Sequence, residues 1–156
     1  MKNLGFLKVI ILVTMLVLGV NSSYAIFDKY TIDRKDLPEE AQEMLSKYFP
    51  KAKVGMIKVD KHLLKKTDYD VRLVNGTTVE FNNKGKWTSV DCKKRELPEG
   101  LVPKNIVKYI SKNYPDVKTV SIKKKSSGYE IGLSDGVVLK FNLLGQFKEV
   151  AGMEDE

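Results

Sequence analysis

Few residues in this chain have side chains suited to chemistry, and they lie far apart in the sequence. The chain has one cysteine, Cys92, and one histidine, His62. A nucleophilic cysteine needs a base nearby, and Lys93-Lys94, which follows Cys92, is a cationic pair of the kind that lowers a thiol pKa. A lone histidine falls short of the several ligands that a transition-metal site uses. A structural thiol and a solvated loop histidine are the simpler interpretations.

Acidic residues occur at places that have simpler explanations than catalysis. Glu39-Glu40 suits the positive N-terminal end of a helix, and residues 153–156 form an acidic tail. Ser134-Asp135-Gly136 is too short for a calcium loop. The sequence contains no Gly-x-Ser-x-Gly nucleophile elbow and no phosphate-binding glycine loop. We therefore predict that the protein is not an enzyme and has no catalytic residue, no cofactor and no bound metal.

The N-terminus has the features of a secretory signal peptide. Lys2 and Lys8 give a positive start, residues 9–20 form an apolar run, and Ser23-Tyr24-Ala25 places small residues at a cleavage site. An uncleaved membrane anchor would need roughly 20 apolar residues, and this run is shorter. We predict cleavage after Ala25 and a periplasmic or secreted protein with no stable membrane insertion.

Charge and cysteine content narrow the classes of partner. The 156 residues carry a formal net charge of +7, spread over scattered lysines. An exported protein does not meet nucleic acid, so we expect no such partner. Attraction to acidic surfaces is one alternative, and solvated loops with lysine-guarded edge strands are the simpler one. A single cysteine cannot form an internal disulfide, so packing must hold the fold, and Cys92 is left to pair between chains.

The sequence contains an internal repeat. The prolines at 38 and 50 recur at 103 and 115, and the apolar positions between them coincide. A second block, residues 69–90, recurs at residues 129–150. Its identical pairs are Tyr69/Tyr129, Leu73/Leu133, Gly76/Gly136, Phe81/Phe141, Asn82/Asn142, Gly85/Gly145 and Val90/Val150. Self-similarity of this kind indicates two copies of one structural unit.

Each copy is predicted to fold as one helix followed by three or four strands. Asp36 is placed to cap the first helix, Pro38 suits its first turn, and Pro50 ends it. Asn75-Gly76 and Asp135-Gly136 are typical of hairpin turns, which require antiparallel strands. The predicted fold class is therefore α+β, with a continuous antiparallel sheet of about eight strands and both helices on one face.

The predicted organisation follows from these boundaries. It consists of a signal peptide at 1–25, an N-terminal extension at 26–36, repeats at 37–95 and 96–150, and an acidic tail at 151–156.

The sheet is expected to bury one face and to leave the other polar. On the polar face the alternation places Arg72 and Glu80 in the first copy and Lys140 in the second. Trp87 and Phe147 follow glycine turns, and aromatic and arginine side chains are favoured as binding anchors. Core filling for the aromatics and plain solvation for the charges are the simpler roles. The candidate partner-binding residues are Arg72, Glu80, Trp87, Lys140 and Phe147.

The repeat resembles a known family. Its helix ends in Tyr48-Phe49-Pro50 and in Asn113-Tyr114-Pro115, and its hairpins carry Asn75-Gly76 and Asp135-Gly136 ahead of a Phe-Asn pair. With the signal peptide, these motifs resemble the β-lactamase-inhibitor-like, PepSY-like family of bacterial periplasmic proteins. The resemblance implies a tandem α/β module like that of β-lactamase inhibitory protein, whose concave sheet grips its target. It implies no catalytic residues, and the disulfide pairs of that inhibitor are missing here.

We therefore expect an exported, non-catalytic binding module that uses the polar face of its sheet to hold a protein, peptide or small ligand, with a periplasmic protein or peptide as its partner. The alternative, which the resemblance also implies, is an inhibitor of a periplasmic peptidase or other hydrolase. A third hypothesis, an enzyme with an unrecognised site, would need titratable residues that converge in a pocket.

Overall fold

The structure is a computed structural model that describes residues 28–60 and 67–151. The predicted signal peptide, its cleavage after Ala25, the lone histidine His62 and the acidic tail beyond residue 151 lie outside the described residues.

The described chain folds into two helices and one nine-stranded sheet. The strands lie in sequence order from β1 to β9, and every neighbouring pair is antiparallel. The elements are β1 (Lys29–Thr31), α1 (Glu39–Tyr48), β2 (Val54–Asp60), β3 (Asp68–Leu73), β4 (Thr78–Phe81), β5 (Trp87–Asp91), α2 (Lys104–Asn113), β6 (Thr119–Lys125), β7 (Gly128–Leu133), β8 (Val138–Phe141) and β9 (Phe147–Val150). The prediction of an α+β fold with one antiparallel sheet is confirmed.

The sheet has one strand more than the eight that the repeat predicts. The additional strand is β1, within the segment interpreted as an N-terminal extension, and it pairs with β2 so that Tyr30 lies opposite Lys58. Three residues are too few to show an alternating pattern. The segment becomes a strand because the exposed edge of β2 offers it backbone hydrogen bonds.

The prediction that Asp36 caps the first helix is wrong. The N-cap residue of α1 is Pro38, which makes no side-chain capping bond. Asp36 instead ends a short 3-10 turn, Arg34–Asp36, and lies 3.5 Å from the Lys29 ammonium. A hydrogen bond with Thr31 and the nearby Lys29 lower the pKa of Asp36. The carboxylate therefore ties β1 to the turn before α1.

Each helix buries one apolar stripe. In α1 the buried residues are Ala41, Met44 and Leu45, and in α2 they are Ile106 and Ile110. Spacings of three and four residues place these side chains on one face of a helix. Both helices end within two residues of the prolines at 50 and 115, because proline cannot continue the hydrogen-bonded ladder.

A single hydrophobic cluster contains residues of both helices and of the sheet. It contains the buried helix residues together with alternate residues of the strands, among them Val71, Val79 and Ile131. Phe81 and Phe141 are among its largest members, and each is 1% exposed. Burial of side chains of this size contributes roughly 1.5–3 kcal/mol each, so the cluster supplies the packing that a disulfide would otherwise supplement.

Irregularities of the sheet occur at matching places in the first half (residues 28–91) and the second half (residues 92–151). A register shift follows Val54 in β2, and another follows Thr119 in β6. A second pair of shifts lies between Glu80 and Phe81 and between Lys140 and Phe141. β-bulges are specific features of a strand pairing and are not random defects.

Candidate binding surface

The face of the sheet opposite the hydrophobic cluster is polar, and we call it the open face. Its residues alternate with the core residues along each strand, and opposite residues on neighbouring strands share it. The register pairs Asp70 with Glu80 and pairs Ser89 with Lys123 across the two halves. The open face comprises Lys58, Asp70, Arg72, Thr78, Glu80, Ser89, Asp91, Ser121, Lys123, Glu130, Lys140 and Glu149.

The open face is acidic across β2, β3 and β4. A hollow of about 300 Å³ is lined by four carboxylates, Asp60, Asp68, Asp70 and Glu80. The Lys58 ammonium lies 3.1 Å from Asp28 and 3.6 Å from Asp60, and chiefly the hydrogen bond with Asp28 raises the pKa of Lys58. One lysine thus stands among several carboxylates.

Asp70 is the carboxylate most affected by this crowding. Its side chain reaches solvent, but desolvation by the neighbouring sheet is the main cause that raises its pKa. The negative charges of Asp60, Asp68 and Asp28 act in the same direction, and Lys58 opposes them. A cation brought to this hollow would favour the ionised form of Asp70.

The open face carries the opposite balance across β6, β7 and β8. The Lys140 ammonium donates to Glu149 at 2.8 Å, and the Lys125 ammonium lies 3.4 Å from Glu130. The hydrogen bond from Lys140 is the main cause that lowers the pKa of Glu149. Lys123 adds a further exposed positive charge opposite Glu130. Each carboxylate here has a cationic neighbour.

A shallow depression of about 290 Å³ lies where the two halves meet. Its polar lining residues are Ser89, Asp91, Ser121, Lys123 and Glu130. The open face is therefore continuous from the acidic first half to the basic second half.

Three of the five predicted candidate residues lie on this face. Arg72 is exposed and lies opposite Thr78, and it lines a hollow of about 380 Å³ together with Glu80 and Lys93. Lys140 lies opposite Glu130 on the second half. The structure thus brings Arg72 and Glu80 together and leaves Lys140 at the other end of the same face.

Trp87 and Phe147 do not lie on the open face. Their cross-strand partners are Phe81 and Phe141, both core residues. The Lys124 ammonium lies 3.3 Å from the centre of the Trp87 ring, and desolvation is the main cause that lowers the pKa of that lysine.

Phe147 is held by α2. Its ring stacks on Tyr109 with centroids 4.8 Å apart, and the residue is 37% exposed. Both aromatics share the face of the core residues because one extra residue, Thr88 or Lys148, lies between each aromatic and the next regular pair of its strand. An extra residue of this kind reverses the alternation of side chains across it.

The residues considered for catalysis are not assembled into a reactive site. Cys92 is 2% exposed, the Thr77 hydroxyl donates to its sulfur at 3.9 Å, and burial raises the thiol pKa. Burial outweighs the opposing effects of the Thr77 hydrogen bond and the Arg95 charge on the thiol pKa, in line with the simpler interpretation of Cys92 as a structural thiol. A thiol this deeply buried also does not reach another chain without local opening of the fold.

Two broader features of the described chain bear on the site. Within residues 28–60 and 67–151, no three histidine, cysteine or acidic side chains are grouped to hold a metal ion. Neither α1 nor α2 has the length and apolarity that crossing a bilayer requires.

Sequence reasoning missed the acidic hollow. Asp60 ends β2 and Asp68 begins β3, and only the strand register brings them beside Glu80. The polar residues Asn82 and Asn142 stabilise the hairpin turns that follow β4 and β8. Each side-chain oxygen accepts two backbone N–H groups of its own turn.

Comparison with known proteins identifies the family. The model of the family described as "Putative beta-lactamase-inhibitor-like, PepSY-like" matches residues 67–149. No match was found among curated proteins.

Solved structures agree with this family. One similar protein, described as a "putative periplasmic protein of unknown function" from Bacteroides vulgatus, is 40% identical with a TM-score of 0.77, over 80% of this chain and 99% of the other. A "putative calcium-regulated periplasmic protein" from Bacteroides thetaiotaomicron is 34% identical with a TM-score of 0.75, over 80% of this chain and 97% of the other. A second Bacteroides vulgatus protein, also described as periplasmic, is 36% identical with a TM-score of 0.75, over 82% of this chain and 99% of the other. The predicted location and family are confirmed: the protein is periplasmic or secreted, and it belongs to the PepSY-like family.

Proposed function

We propose that this protein is a non-catalytic binding module of the periplasm and that the open face of its sheet holds a protein or peptide partner. The observation that carries the proposal is the charge pattern of that face. Carboxylates dominate across β2 to β4, and lysines dominate across β6 to β8. A surface with two unlike ends orients a partner as well as attracting it.

We infer further that the two halves are copies of one module and that both helices pack on the core side. Matching sheet irregularities support the duplication. A single core cluster that contains buried residues of both helices supports their common side. Under this arrangement the open face is available to a partner over its whole width.

The chemistry of the face defines the partner. A partner segment with lysine or arginine would lie against Asp68, Asp70 and Glu80, and an acidic segment would lie against Lys123 and Lys140. Charged rim contacts mainly set association rate and orientation. We therefore expect binding that weakens with salt, because exposed charges are screened over about 8–10 Å at physiological ionic strength.

The test is capture of partners from a periplasmic extract. The open-face variant carries Arg72→Ala, Glu80→Ala and Lys140→Ala, and the control variant carries Glu43→Ala, Lys108→Ala and Lys112→Ala on exposed helix positions. We expect the control to retain the captured partner and the open-face variant to lose it, while both melt like the parent. Equal capture by the two variants would reject the open face.

Calcium is included as a condition because one relative is described as calcium-regulated. Within the described ranges, the carboxylates of the acidic hollow are not grouped to hold a metal ion, so calcium there would act by attraction to the negative charge alone. The capture experiment is therefore run with calcium and with a chelator. A difference that disappears in Asp70→Asn would assign calcium to the acidic hollow.

Inhibition of a periplasmic peptidase or other hydrolase is a narrower form of the same proposal. The family description, which includes inhibitor-like proteins, supports it. It predicts that the purified protein arrests at least one exported peptidase or β-lactamase, and that the open-face variant does not. A panel of such enzymes that keeps full activity would leave binding without inhibition.

A further inference from the structure

A groove of about 670 Å³ lies on the helix side of the sheet, between the segment that enters α2 and the end of that helix. Glu96 and Glu99 line it from the entering segment, Val107 and Tyr114 from α2, and Val117 from the approach to β6. Apolar side chains and two carboxylates in one lining suit a ligand that is both aliphatic and cationic. None of these residues belongs to the open face, so the groove is independent of the proposed function.

The first half shows what fills the corresponding place there. Arg34, in the turn before α1, donates from Nη2 to the backbone carbonyl of Ala52 at 2.5 Å. The side chain of Gln42, which lies in α1, donates to the Leu37 carbonyl at 2.8 Å. An arginine side chain of the chain itself thus bridges the turn before the helix and the segment that follows it.

Backbone hydrogen bonds establish which residues correspond. The amide of Asp36 bonds the Asp33 carbonyl, and 65 positions later the amide of Leu101 bonds the Pro98 carbonyl. The amide of Ala52 bonds the Phe49 carbonyl, and Val117 bonds Tyr114 in the same way. By this correspondence, Glu99 stands in place of Arg34, Val107 in place of Gln42, and Val117 in place of Ala52.

The second half therefore retains the carbonyl acceptor, at Val117, but has no arginine at the position that corresponds to Arg34. In the described part of the chain, no side chain donates to the carbonyl of Val117. The residue that corresponds to the internal arginine is Glu99, which has the opposite charge and is exposed. Replacement of Gln42 by Val107 makes the helix wall apolar, and Val107 is itself exposed.

We propose that this groove receives an arginine side chain from a partner polypeptide, in the place that Arg34 takes in the first half. The guanidinium would donate to the Val117 carbonyl and to Glu99 or Glu96, and its stem would pack on Val107 and Tyr114. Arginine fits better than lysine because its planar fork donates to a carbonyl and a carboxylate at once.

The test uses a blocked tripeptide, acetyl-Ala-Arg-Ala-amide, titrated into the isotopically labelled protein and followed by backbone NMR shifts. The matched probe carries citrulline, which has the same shape as arginine but no charge. We expect shifts centred on Glu99, Val107 and Val117, and binding of the citrulline probe weaker by about tenfold or more. Equal binding of both probes, or shifts confined to other regions, would overturn the proposal.

A pair of variants tests the groove itself. Glu99→Arg restores the internal arginine and should abolish the shifts, whereas Glu43→Arg makes the same charge change on an exposed position of α1 that does not line the groove and should leave them intact. Undiminished binding to Glu99→Arg, with its spectrum still that of a folded protein, would overturn the proposal. The open-face variant should bind the probe normally, which separates failure here from failure of the proposed function.

Discussion

Asp70 in β3 and Glu130 in β7 occupy corresponding positions, opposite Glu80 and Lys140 respectively. Asp70 faces other carboxylates, and its pKa is raised by desolvation and by those charges. Glu130 lies 3.4 Å from Lys125. One backbone arrangement therefore presents an acidic surface in one half and a basic one in the other. The comparison shows that the charge of the surface depends on which side chains occupy the corresponding positions of the two halves. The backbone only positions them.

The aromatics after the last hairpin of each half show a second difference. Trp87 lies in an interior strand, where Lys124 of the next strand covers its ring. Phe147 lies in β9, the last strand of the sheet, and rests on Tyr109 of α2. Position in the sheet therefore decides how completely the same structural place is covered.

The largest expected loss in the free energy of unfolding is at the two glycine turns that contact the helices, and it differs between them. At Gly85, with φ +81°, an added Cβ would lie 2.9 Å from the Ala41 backbone nitrogen, and at Gly145, with φ +74°, it would lie 3.2 Å from the Asn105 Cβ. Backbone cannot move aside as a side chain can. We expect Gly85→Ala to cost about 3 kcal/mol and Gly145→Ala about 1–2 kcal/mol in urea unfolding.

The controls for this pair are Gly76→Ala and Gly136→Ala. Both positions have positive φ, but an added Cβ meets nothing within 4 Å. They should show backbone strain alone, about 1 kcal/mol each. Equal losses at Gly85 and Gly76 would contradict the close approach of the turn to α1.

The next effect compares the covered and the edge aromatic. Trp87→Ala removes a ring that packs on the core and carries Lys124, and we expect a loss of about 2–4 kcal/mol. Phe147→Ala removes a partly exposed ring, and we expect about 1–2 kcal/mol. Thermal and urea unfolding would measure both. A larger loss for Phe147→Ala would mean that β9 is covered more fully than Trp87.

A smaller effect compares Arg34 with Glu99. Arg34→Met leaves the Ala52 carbonyl without its side-chain donor, and we expect a loss of about 1 kcal/mol. Glu99→Met removes an exposed carboxylate, and we expect a change within about 0.5 kcal/mol. Unfolding in urea distinguishes them. Equal effects would mean that Arg34 does not stabilise the first half by bridging. The second half would then lack no stabilising contact that a partner's arginine could supply.

The smallest effect depends on pH and separates Asp70 from Glu130. Because the folded-state pKa of Asp70 is raised above its ordinary value of 3.8, its ionisation destabilises the fold as pH rises through and above that value. Asp70→Asn should therefore stabilise the protein at pH 7, by a few tenths of a kcal/mol after solvent screening.

At pH 3 the Asp70 carboxyl of the parent is mostly protonated, and the asparagine of the variant is neutral. The gain from Asp70→Asn should therefore vanish. Glu130→Gln should instead cause a small loss at pH 7, because it removes the ion pair with Lys125. Stabilisation by Glu130→Gln, or a gain from Asp70→Asn that persists at pH 3, would contradict the electrostatic difference between the halves.

Local patterns in the sequence account for most of the fold and for little of the surface. Alternation along 69–73 and 129–133 and the glycine turns predict the hairpins, because these signals act between near neighbours. Strand β1 is not predicted because three residues are too few to show alternation, and only the pairing with β2 identifies them as a strand. The face of Trp87 could not be read from alternation, because the bulge that reverses it depends on pairing with β4.

The acidic hollow and the groove were missed for a related reason. Asp68 meets Glu80 only through strand register, and Glu99 is informative only once it is set against Arg34 in three dimensions. Each brings together ordinary surface residues that lie far apart in the sequence.

The most direct test of the account is photo-crosslinking in the periplasm with a reactive amino acid placed at Arg72 or Lys123 on the open face, or at Glu43 on the exposed side of α1, away from the groove. We predict discrete crosslinked products from the two open-face positions and none from Glu43. Crosslinks from Glu43 alone would contradict the claim that the open face is the binding surface.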